Sequence, residues 1–135
     1  MIIFLDANII IYQVEAVAPF QQKVHGILQE LVGQQPGTVF AVSRLSLLEC
    51  LVKPVREQNA GAIDRYRAFF SVRDLRIVEI TPQVVETAIL LRARHGLRTP
   101  DAIQAASALS LNAPLLFLTG DRSLNNVPKL NVRLV

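Results

Sequence analysis

The feature that most constrains the fold of this chain is the alternation of short apolar runs with longer segments of helical period. Five runs have the length and composition of strands: residues 2–5, 39–42, 76–80, 115–118 and 131–135. Between these runs, apolar residues recur at helical spacing. Strands that alternate with helices predict an α/β fold, namely a three-layer α/β/α domain around a mostly parallel central sheet of about five strands.

Capping residues mark where helices are expected to begin and end. Ser43 is a good N-cap for the helix that carries Glu49, and Pro54 is expected at or just after the last turn of that helix. Asn59 is expected to cap the next helix. The start signals Thr81-Pro82 and Thr99-Pro100 place two successive helices near residues 82–95 and 100–112, and Pro19 opens an earlier helix that residues 33–37 break.

Length and composition favour one globular domain, spanning residues 1–135, over a disordered or membrane-spanning chain. Of the 135 residues, 51% are hydrophobic, and none is tryptophan. No segment approaches the roughly 20 apolar residues of a membrane span, and Asp6 interrupts the first apolar run too early for a signal peptide. We therefore expect a soluble cytoplasmic protein. The net charge of +3 permits nucleic-acid binding without establishing it.

Four carboxylates occupy positions where folding does not require an acid: Asp6, Glu49, Asp101 and Asp121. Asp6 ends the first strand, Asp121 follows the fourth, and Asp101 lies in the first turn of a helix that runs into that fourth strand. These three are expected at the edge formed by the carboxyl ends of parallel strands. Glu49 lies six residues after Ser43, and a side chain that points back toward its helix start is expected to reach the same edge.

A cluster of four carboxylates repels itself, and a divalent cation relieves that repulsion. Oxygen donors favour Mg²⁺ or Mn²⁺ over zinc or copper, so metal-assisted phosphodiester hydrolysis is the expected reaction class. Three acids also have a structural interpretation, since Asp101 complements a helix dipole, Asp121 starts a turn and Asp6 caps a helix. Glu49 is the exception, because it interrupts an apolar stripe and needs a partner there.

At these acids the chain resembles the PIN domain family, in particular the short VapC-type toxin ribonucleases of toxin–antitoxin pairs. The resemblance covers essentially the whole chain. It rests on four motifs in order: Ile2-Ile3-Phe4-Leu5-Asp6-Ala7-Asn8, Val42-Ser43 through Glu49, Thr99-Pro100-Asp101-Ala102-Ile103-Gln104-Ala105-Ala106, and Leu118-Thr119-Gly120-Asp121. One motif alone is weak, whereas four at family-like spacing are specific. Asn8 is a minor departure, because the family often has Ser or Thr there.

The resemblance implies a Mg²⁺- or Mn²⁺-dependent endoribonuclease, the toxin of a type II toxin–antitoxin system. It implies that the catalytic and metal-holding residues are Asp6, Glu49, Asp101 and Asp121. Asn8 and Thr119 are then expected to orient these groups or water. The family also implies a homodimer and a cognate antitoxin whose C-terminal segment occupies the groove. The RNA target does not follow from the resemblance.

Basic residues beside the motifs are candidates for RNA contacts. Arg44, Arg98 and Arg122 flank motif residues, and a solvated basic surface is the alternative interpretation. Gln104 lies one turn after Asp101 and is expected to face either substrate or solvent. The competing hypothesis for the whole chain is a non-catalytic PIN-like module that binds RNA or a protein. That hypothesis predicts no metal-dependent cleavage, and the intact acidic set argues against it.

Overall fold

A single all-parallel sheet forms the centre of the computed structural model, which describes all 135 residues. Its strands are β1 (Ile2–Leu5), β2 (Val39–Ser43), β3 (Arg76–Val78), β4 (Leu115–Thr119) and β5 (Val132–Leu134). Their spatial order is β3-β2-β1-β4-β5, and each neighbouring pair is parallel. The predicted mostly parallel sheet of about five strands is confirmed, although β3 ends two residues earlier than expected.

Two helices fill each of the first three connections. They are α1 (Ala7–Val14) and α2 (Phe20–Gln34), α3 (Leu45–Arg56) and α4 (Ala60–Phe70), and α5 (Pro82–His95) and α6 (Thr99–Leu109). A short 3-10 helix, Arg122–Asn126, connects β4 to β5. The paired helices before β3 and before β4 were predicted, but the pair before β2 was not, because α1 was missed. None of the helices has the length and apolar character that crossing a membrane requires.

The side-chain alternation of β1 divides the hydrophobic core into two halves. Ile3 and Leu5 face α1 to α4, whereas Phe4 faces α5 and α6. Phe4 stacks on Phe117 of β4, with ring centroids 5.3 Å apart. The helix α6 packs through fully buried alanines at positions 102, 105, 106 and 108. Small side chains let α6 approach the sheet closely, and the predicted three-layer α/β/α architecture is confirmed.

Several predicted helix ends agree with the structure because they depend on local hydrogen bonds. The Asn59 side chain accepts the Ala62 amide at 3.1 Å and caps α4. The Thr81 hydroxyl accepts the Val84 amide at 3.2 Å and caps α5. Gly96 then ends α5 in the left-handed conformation, at φ 67°, which a residue without a Cβ adopts at little cost.

Other predicted helix ends are wrong. Ser43 is the last residue of β2 rather than the N-cap of α3, although its hydroxyl accepts the Leu45 amide at 3.1 Å. Pro54 lies inside α3, which continues to Arg56, because a proline this near the end removes only one helical hydrogen bond. The helix α6 begins at Thr99 and stops at Leu109, not near residue 112. The helix α1 has no counterpart among the predicted helices.

The order of the strands determines where a site can form. The chain moves from β1 outward to β2 and β3, and then crosses to β4 on the other side of β1. In an open parallel sheet, such a reversal leaves a crevice at the carboxyl ends of the two strands that flank it. Here those strands are β1, which Asp6 follows directly, and β4. The fold therefore places the end of β1 and the end of β4, at Thr119, on the edge where ligands bind.

Candidate active site

Asp6 lies buried at the centre of this edge, with 5% of its surface exposed. One carboxylate oxygen accepts the Ala7 amide at 2.8 Å and so caps α1. The other accepts the Thr119 hydroxyl at 2.7 Å and the Asn8 side-chain amide at 3.4 Å. The contact with Thr119 joins the ends of β1 and β4, so the carboxylate has a fixed position at the reversal of the sheet.

The loop after β4 is tied to the same group of residues. Thr119 donates to Asp6 and at the same time accepts the Asp121 amide at 3.0 Å. The Asn8 side-chain oxygen accepts the Gly120 amide at 3.1 Å. A Cβ at Gly120 would lie 3.1 Å from the Tyr12 hydroxyl oxygen, which is closer than an ordinary contact. These contacts bring Asp121 to the edge where Asp6 lies.

Asp101 and Asp121 share one guanidinium group. The Nε of Arg98 donates to Asp101 at 3.2 Å, and its Nη2 lies 3.5 Å from Asp121. Asp121 also accepts the Ser123 amide at 2.9 Å and caps the 3-10 helix, so its structural interpretation holds as well. Because the Arg98 side chain is 79% exposed, this ion pair contributes little net stability. It does hold two of the four acids beside each other.

Burial and neighbouring negative charge together raise the pKa of Asp6. Burial is the largest cause, and it raises the pKa of Asp6 to about 6. The hydrogen bonds from Thr119 and Ala7 act in the opposite direction, while the charges of Glu49 and Asp101 raise this pKa further. Asp6 is therefore within electrostatic reach of two of the other predicted site residues.

The two acids that share Arg98 differ from each other in acidity. Burial and the charge of Asp121 raise the pKa of Asp101. For Asp121, burial is outweighed by the hydrogen bonds from Ser123 and by the charge of Arg98, so the pKa of Asp121 is lowered. Asp121 thus remains ionised most readily of the pair, and the two carboxylates have opposite tendencies to hold a proton.

Glu49 reaches the site from α3 and is held by a side chain of α6. Its Oε1 accepts the Gln104 amide at 2.9 Å, and the same amide nitrogen donates to the Ser46 hydroxyl at 2.9 Å. The expectation that Glu49 interrupts a buried apolar stripe is wrong, since Leu48 and Val52 are 62% and 51% exposed. Glu49 nevertheless has a hydrogen-bond partner, as the sequence predicted, and that partner is Gln104 on α6.

Gln104 is the site residue whose surroundings the sequence did not predict. It faces neither substrate nor solvent, because it is 1% exposed. The three-residue spacing from Asp101 correctly places both on one face of α6, but it does not indicate depth. Gln104 Oε1 is the one buried side-chain oxygen or nitrogen without a hydrogen-bond partner. Such an atom typically costs about 1–3 kcal/mol of stability.

The three arginines predicted to contact RNA have different surroundings. Arg44 donates two hydrogen bonds of 2.7 Å to the Glu79 carboxylate. Arg98 contacts acids of the site itself, as described above. Arg122 is exposed at the start of the 3-10 helix and forms no ion pair. Contact of any of them with RNA stays a prediction.

The four acids meet at one edge without converging on one point. No three Asp, Glu, His or Cys side chains are placed to hold a metal ion together. The chemistry of the donors nevertheless fits a hard divalent cation, because all four acids offer only carboxylate oxygens. Burial is the main cause of the raised pKa values of Asp6 and Asp101, and neighbouring carboxylates add to it; a bound cation would neutralise that negative charge. The residues thus fit Mg²⁺ or Mn²⁺ in type and charge.

The acidity of Asp6 predicts how stability depends on pH when a chelator is present. In the folded protein the pKa of Asp6 is about 6, whereas the ordinary pKa of an aspartate is 3.8. The contribution of Asp6 to stability therefore falls as pH rises from about 4 to about 6 and then levels off, a loss of roughly 3 kcal/mol at most. Asp6→Asn removes this loss, so we expect it to match wild type near pH 4 and to be more stable at pH 8. Urea unfolding at several pH values measures the difference.

Asp64→Asn, an exposed substitution on α4, controls for the change in net charge. We expect its pH dependence to match that of wild type. If Asp6→Asn were instead much less stable than wild type at pH 8, Asp6 would be mainly a structural cap of α1.

Comparison with solved structures identifies the same fold in toxin–antitoxin complexes. The chain is similar to VapBC2 from Rickettsia felis bound to a promoter DNA fragment, with a TM-score of 0.75, 18% identity and coverage of 99% of this chain and 98% of that one. It is similar to VapBC-1 from nontypeable Haemophilus influenzae, with a TM-score of 0.71, 21% identity and coverage of 99% and 98%. It is also similar to a toxin–antitoxin complex from Klebsiella pneumoniae, with a TM-score of 0.67, 20% identity and coverage of 95% of this chain and 94% of that one. At such identities the likeness shows the fold.

Sequence comparison assigns the family. No curated protein sequence matches this chain. The family model of the PIN domain, however, matches residues 3–130, which include all four predicted acids. The motifs and the matched range agree, and the chain belongs to the PIN domain family.

Proposed function

We propose that this protein is a divalent-cation-dependent endoribonuclease that hydrolyses RNA phosphodiester bonds, and that it is the toxin of a type II toxin–antitoxin pair. The observation that carries the proposal is the buried Asp6 at the sheet reversal, within electrostatic reach of Glu49 and Asp101. Membership of the PIN domain family supports nuclease activity. The likeness to toxin–antitoxin complexes supports the toxin role.

The residues that would hold Mg²⁺ or Mn²⁺ are Asp6, Glu49, Asp101 and Asp121. When bound, such a cation neutralises phosphate charge and makes water more acidic. The chain's own contribution is to fix the acids: Thr119 holds Asp6, and Gln104 holds Glu49. Because no three acids share one point, water would supply much of the coordination of a bound cation unless some of these side chains turned inward.

Exposed arginines at the same edge are suited to the RNA backbone. Arg122 follows Asp121 directly and has no ionic partner, so its guanidinium is available to a phosphate. Arg98 is largely exposed and contacts two of the acids, which places a phosphate bound by Arg98 next to them. Arg44 is the weakest candidate of the three, since Glu79 already accepts two hydrogen bonds from one edge of its guanidinium, through Nε and Nη2.

Cleavage of a panel of structured RNAs tests the proposed activity. With Mg²⁺ or Mn²⁺ we expect wild type to cut and Asp6→Asn to lose at least about 100-fold in rate, because one anionic ligand is missing. A chelator should abolish cleavage by wild type. Gel analysis of end-labelled RNA measures both effects, with Asp64→Asn as the control of equal charge change.

Equal cleavage by wild type and Asp6→Asn would overturn the assignment. Absence of cleavage in wild type, despite binding of the same RNAs, would favour the non-catalytic PIN-like module instead.

An exposed apolar stripe on α3 supports a homodimer. Leu48, Val52 and Val55 are 62%, 51% and 55% exposed, and their spacing puts them on one face of the helix. Val85 and Ile89 form a second exposed pair on α5, at 44% and 52%. Contiguous apolar surface of this kind marks interaction sites. We assign the α3 stripe to a second copy of the chain.

Charge placed in the α3 stripe should separate the two copies. We expect wild type to be a dimer and Val52→Glu a monomer at micromolar concentration, because a buried unpaired carboxylate is costly at an interface. Analytical ultracentrifugation gives the mass. Val32→Glu, at an exposed valine on α2, should remain a dimer. A dimeric Val52→Glu, or a monomeric wild type, would contradict the assignment.

An apolar cavity of about 750 Å³ supports a separate site for the antitoxin. It lies among α1, α2, α4 and the start of β2, and 10 of its 15 lining residues are hydrophobic. Among them are Ile10, Val14, Leu28, Phe40 and Phe69. An apolar segment presented by a helix fills such a groove. We assign this cavity to an apolar segment of the cognate antitoxin.

Coexpression with the product of the neighbouring gene tests this assignment. We expect that product to copurify with wild type and with Val32→Glu, and to be lost from Leu28→Arg, whose charge would have to enter the cavity. Circular dichroism should show that Leu28→Arg is folded. Copurification that Leu28→Arg leaves intact would exclude the cavity as the docking site.

A further inference from the structure

We propose that Gln104 is a positioning residue that fixes the carboxylate of Glu49 in the site, a role that rests on the proposed function. Gln104 belongs to α6, which covers one face of the sheet, and Glu49 belongs to α3, which packs with the helices on the other face. The two helices meet where β2 passes into α3. Gln104 is the side chain that joins them at the level of the acids.

Both side-chain hydrogen bonds of Gln104 are donated to residues of α3. Its Nε2 donates at 2.9 Å to Glu49 and at 2.9 Å to the Ser46 hydroxyl, three residues earlier on the same helix. Both acceptors lie on α3, and Ser46 is fully buried. A partly exposed Glu49 on an otherwise open helix face has many accessible rotamers. One hydrogen bond from a buried, anchored amide selects among them.

The orientation of the amide is determined by Glu49. An ionised carboxylate only accepts hydrogen bonds, so the amide nitrogen must face it. The Gln104 oxygen then points away and has no partner, although it is buried. Rotation of the amide by half a turn would put oxygen against the carboxylate. The fold therefore leaves the oxygen without a partner and keeps the donor directed at Glu49.

The same helix also carries Asp101, three residues before Gln104. Asp101 is buried in the first turn of α6 and is itself one of the predicted acids. The helix α6 thus supplies one acid directly and sets the position of a second through Gln104. The spacing between Asp101 and Glu49 depends on this one helix, rather than on two independent elements.

Ser107 provides a matched control for a purely structural role. It lies one turn after Gln104 on α6 and is fully buried. Its hydroxyl contacts the Ser43 hydroxyl at 3.0 Å and the Ile103 carbonyl at 2.7 Å, so it joins α6 to the end of β2, directly before α3. It does not contact Glu49. Loss of Ser107 therefore weakens the same interface without releasing the carboxylate.

Binding of Mn²⁺ separates positioning from packing. Gln104→Met keeps the length and volume of the side chain but removes the donor, and we expect 10- to 100-fold weaker Mn²⁺ binding, as is typical when a partner of a metal ligand is lost. Ser107→Ala should bind Mn²⁺ like wild type. Adding Gln104→Met to Glu49→Gln should cause no further loss, because the residue acts through Glu49. Isothermal titration calorimetry measures all five proteins, namely wild type, the three single variants and the double variant, and in RNA cleavage the loss should fall on kcat rather than KM.

A second measurement needs no substitution at Gln104. In metal-free protein, we expect Glu49→Gln to shift the NMR resonances of the Gln104 side-chain amide, and the exposed substitution Glu57→Gln to leave them unchanged. Unshifted resonances in Glu49→Gln would overturn the contact. Equal Mn²⁺ binding by wild type and Gln104→Met, or an equal loss in Ser107→Ala, would overturn the positioning role alone. A wild-type protein that binds no Mn²⁺ would overturn the proposed function and this role together.

Discussion

The hydrogen bond between Asp6 and Thr119 is the interaction on which the site depends. It joins the ends of the two central strands, β1 and β4, at the point where the order of the sheet reverses. Burial of a carboxylate opposes ionisation, and three donors offset part of that cost. Thr119 also holds the amide of Asp121. The Thr119 hydroxyl thus links the buried Asp6 to the loop that carries Asp121.

The acidic edge is arranged for something other than stability. Asp6 and Asp101 have raised pKa values because each is buried near other carboxylates. Arg98 offsets part of this charge, but its exposed side chain holds only Asp101 and Asp121. Gln104 adds a buried oxygen without a partner. Proteins usually avoid buried charges and buried polar atoms without partners, and they depart from this at functional sites. Here these unfavourable groups lie together at one edge of the sheet.

Local signals made most of the fold and three of the acids predictable. Asp6, Asp101 and Asp121 follow a strand or open a helix, so their placement needs only the alternation of elements and the rule for parallel sheets. Eight-residue α1 was missed because it is too short for a clear apolar period. Glu49 was placed at the edge from the direction of its side chain along α3, whereas its need for a partner was argued from an apolar stripe that is in fact exposed. Its true partner lies 55 residues away in sequence.

The contacts that the sequence did not predict are those between residues distant along the chain. These contacts connect the site to the rest of the molecule. Gln104 reaches α3 from α6, and Arg44 at the start of α3 holds Glu79 before α5. The helix α3 is therefore held along one face by Gln104 and at its start by Arg44, while the face that carries Leu48, Val52 and Val55 is open and apolar. Since Leu48 of that open face directly precedes Glu49, anything that covers the stripe also bears on the helix that carries this acid. The proposed interface and the proposed site thus lie on two faces of the same helix. Covering the stripe would affect the site by changing the position of the Glu49 carboxylate.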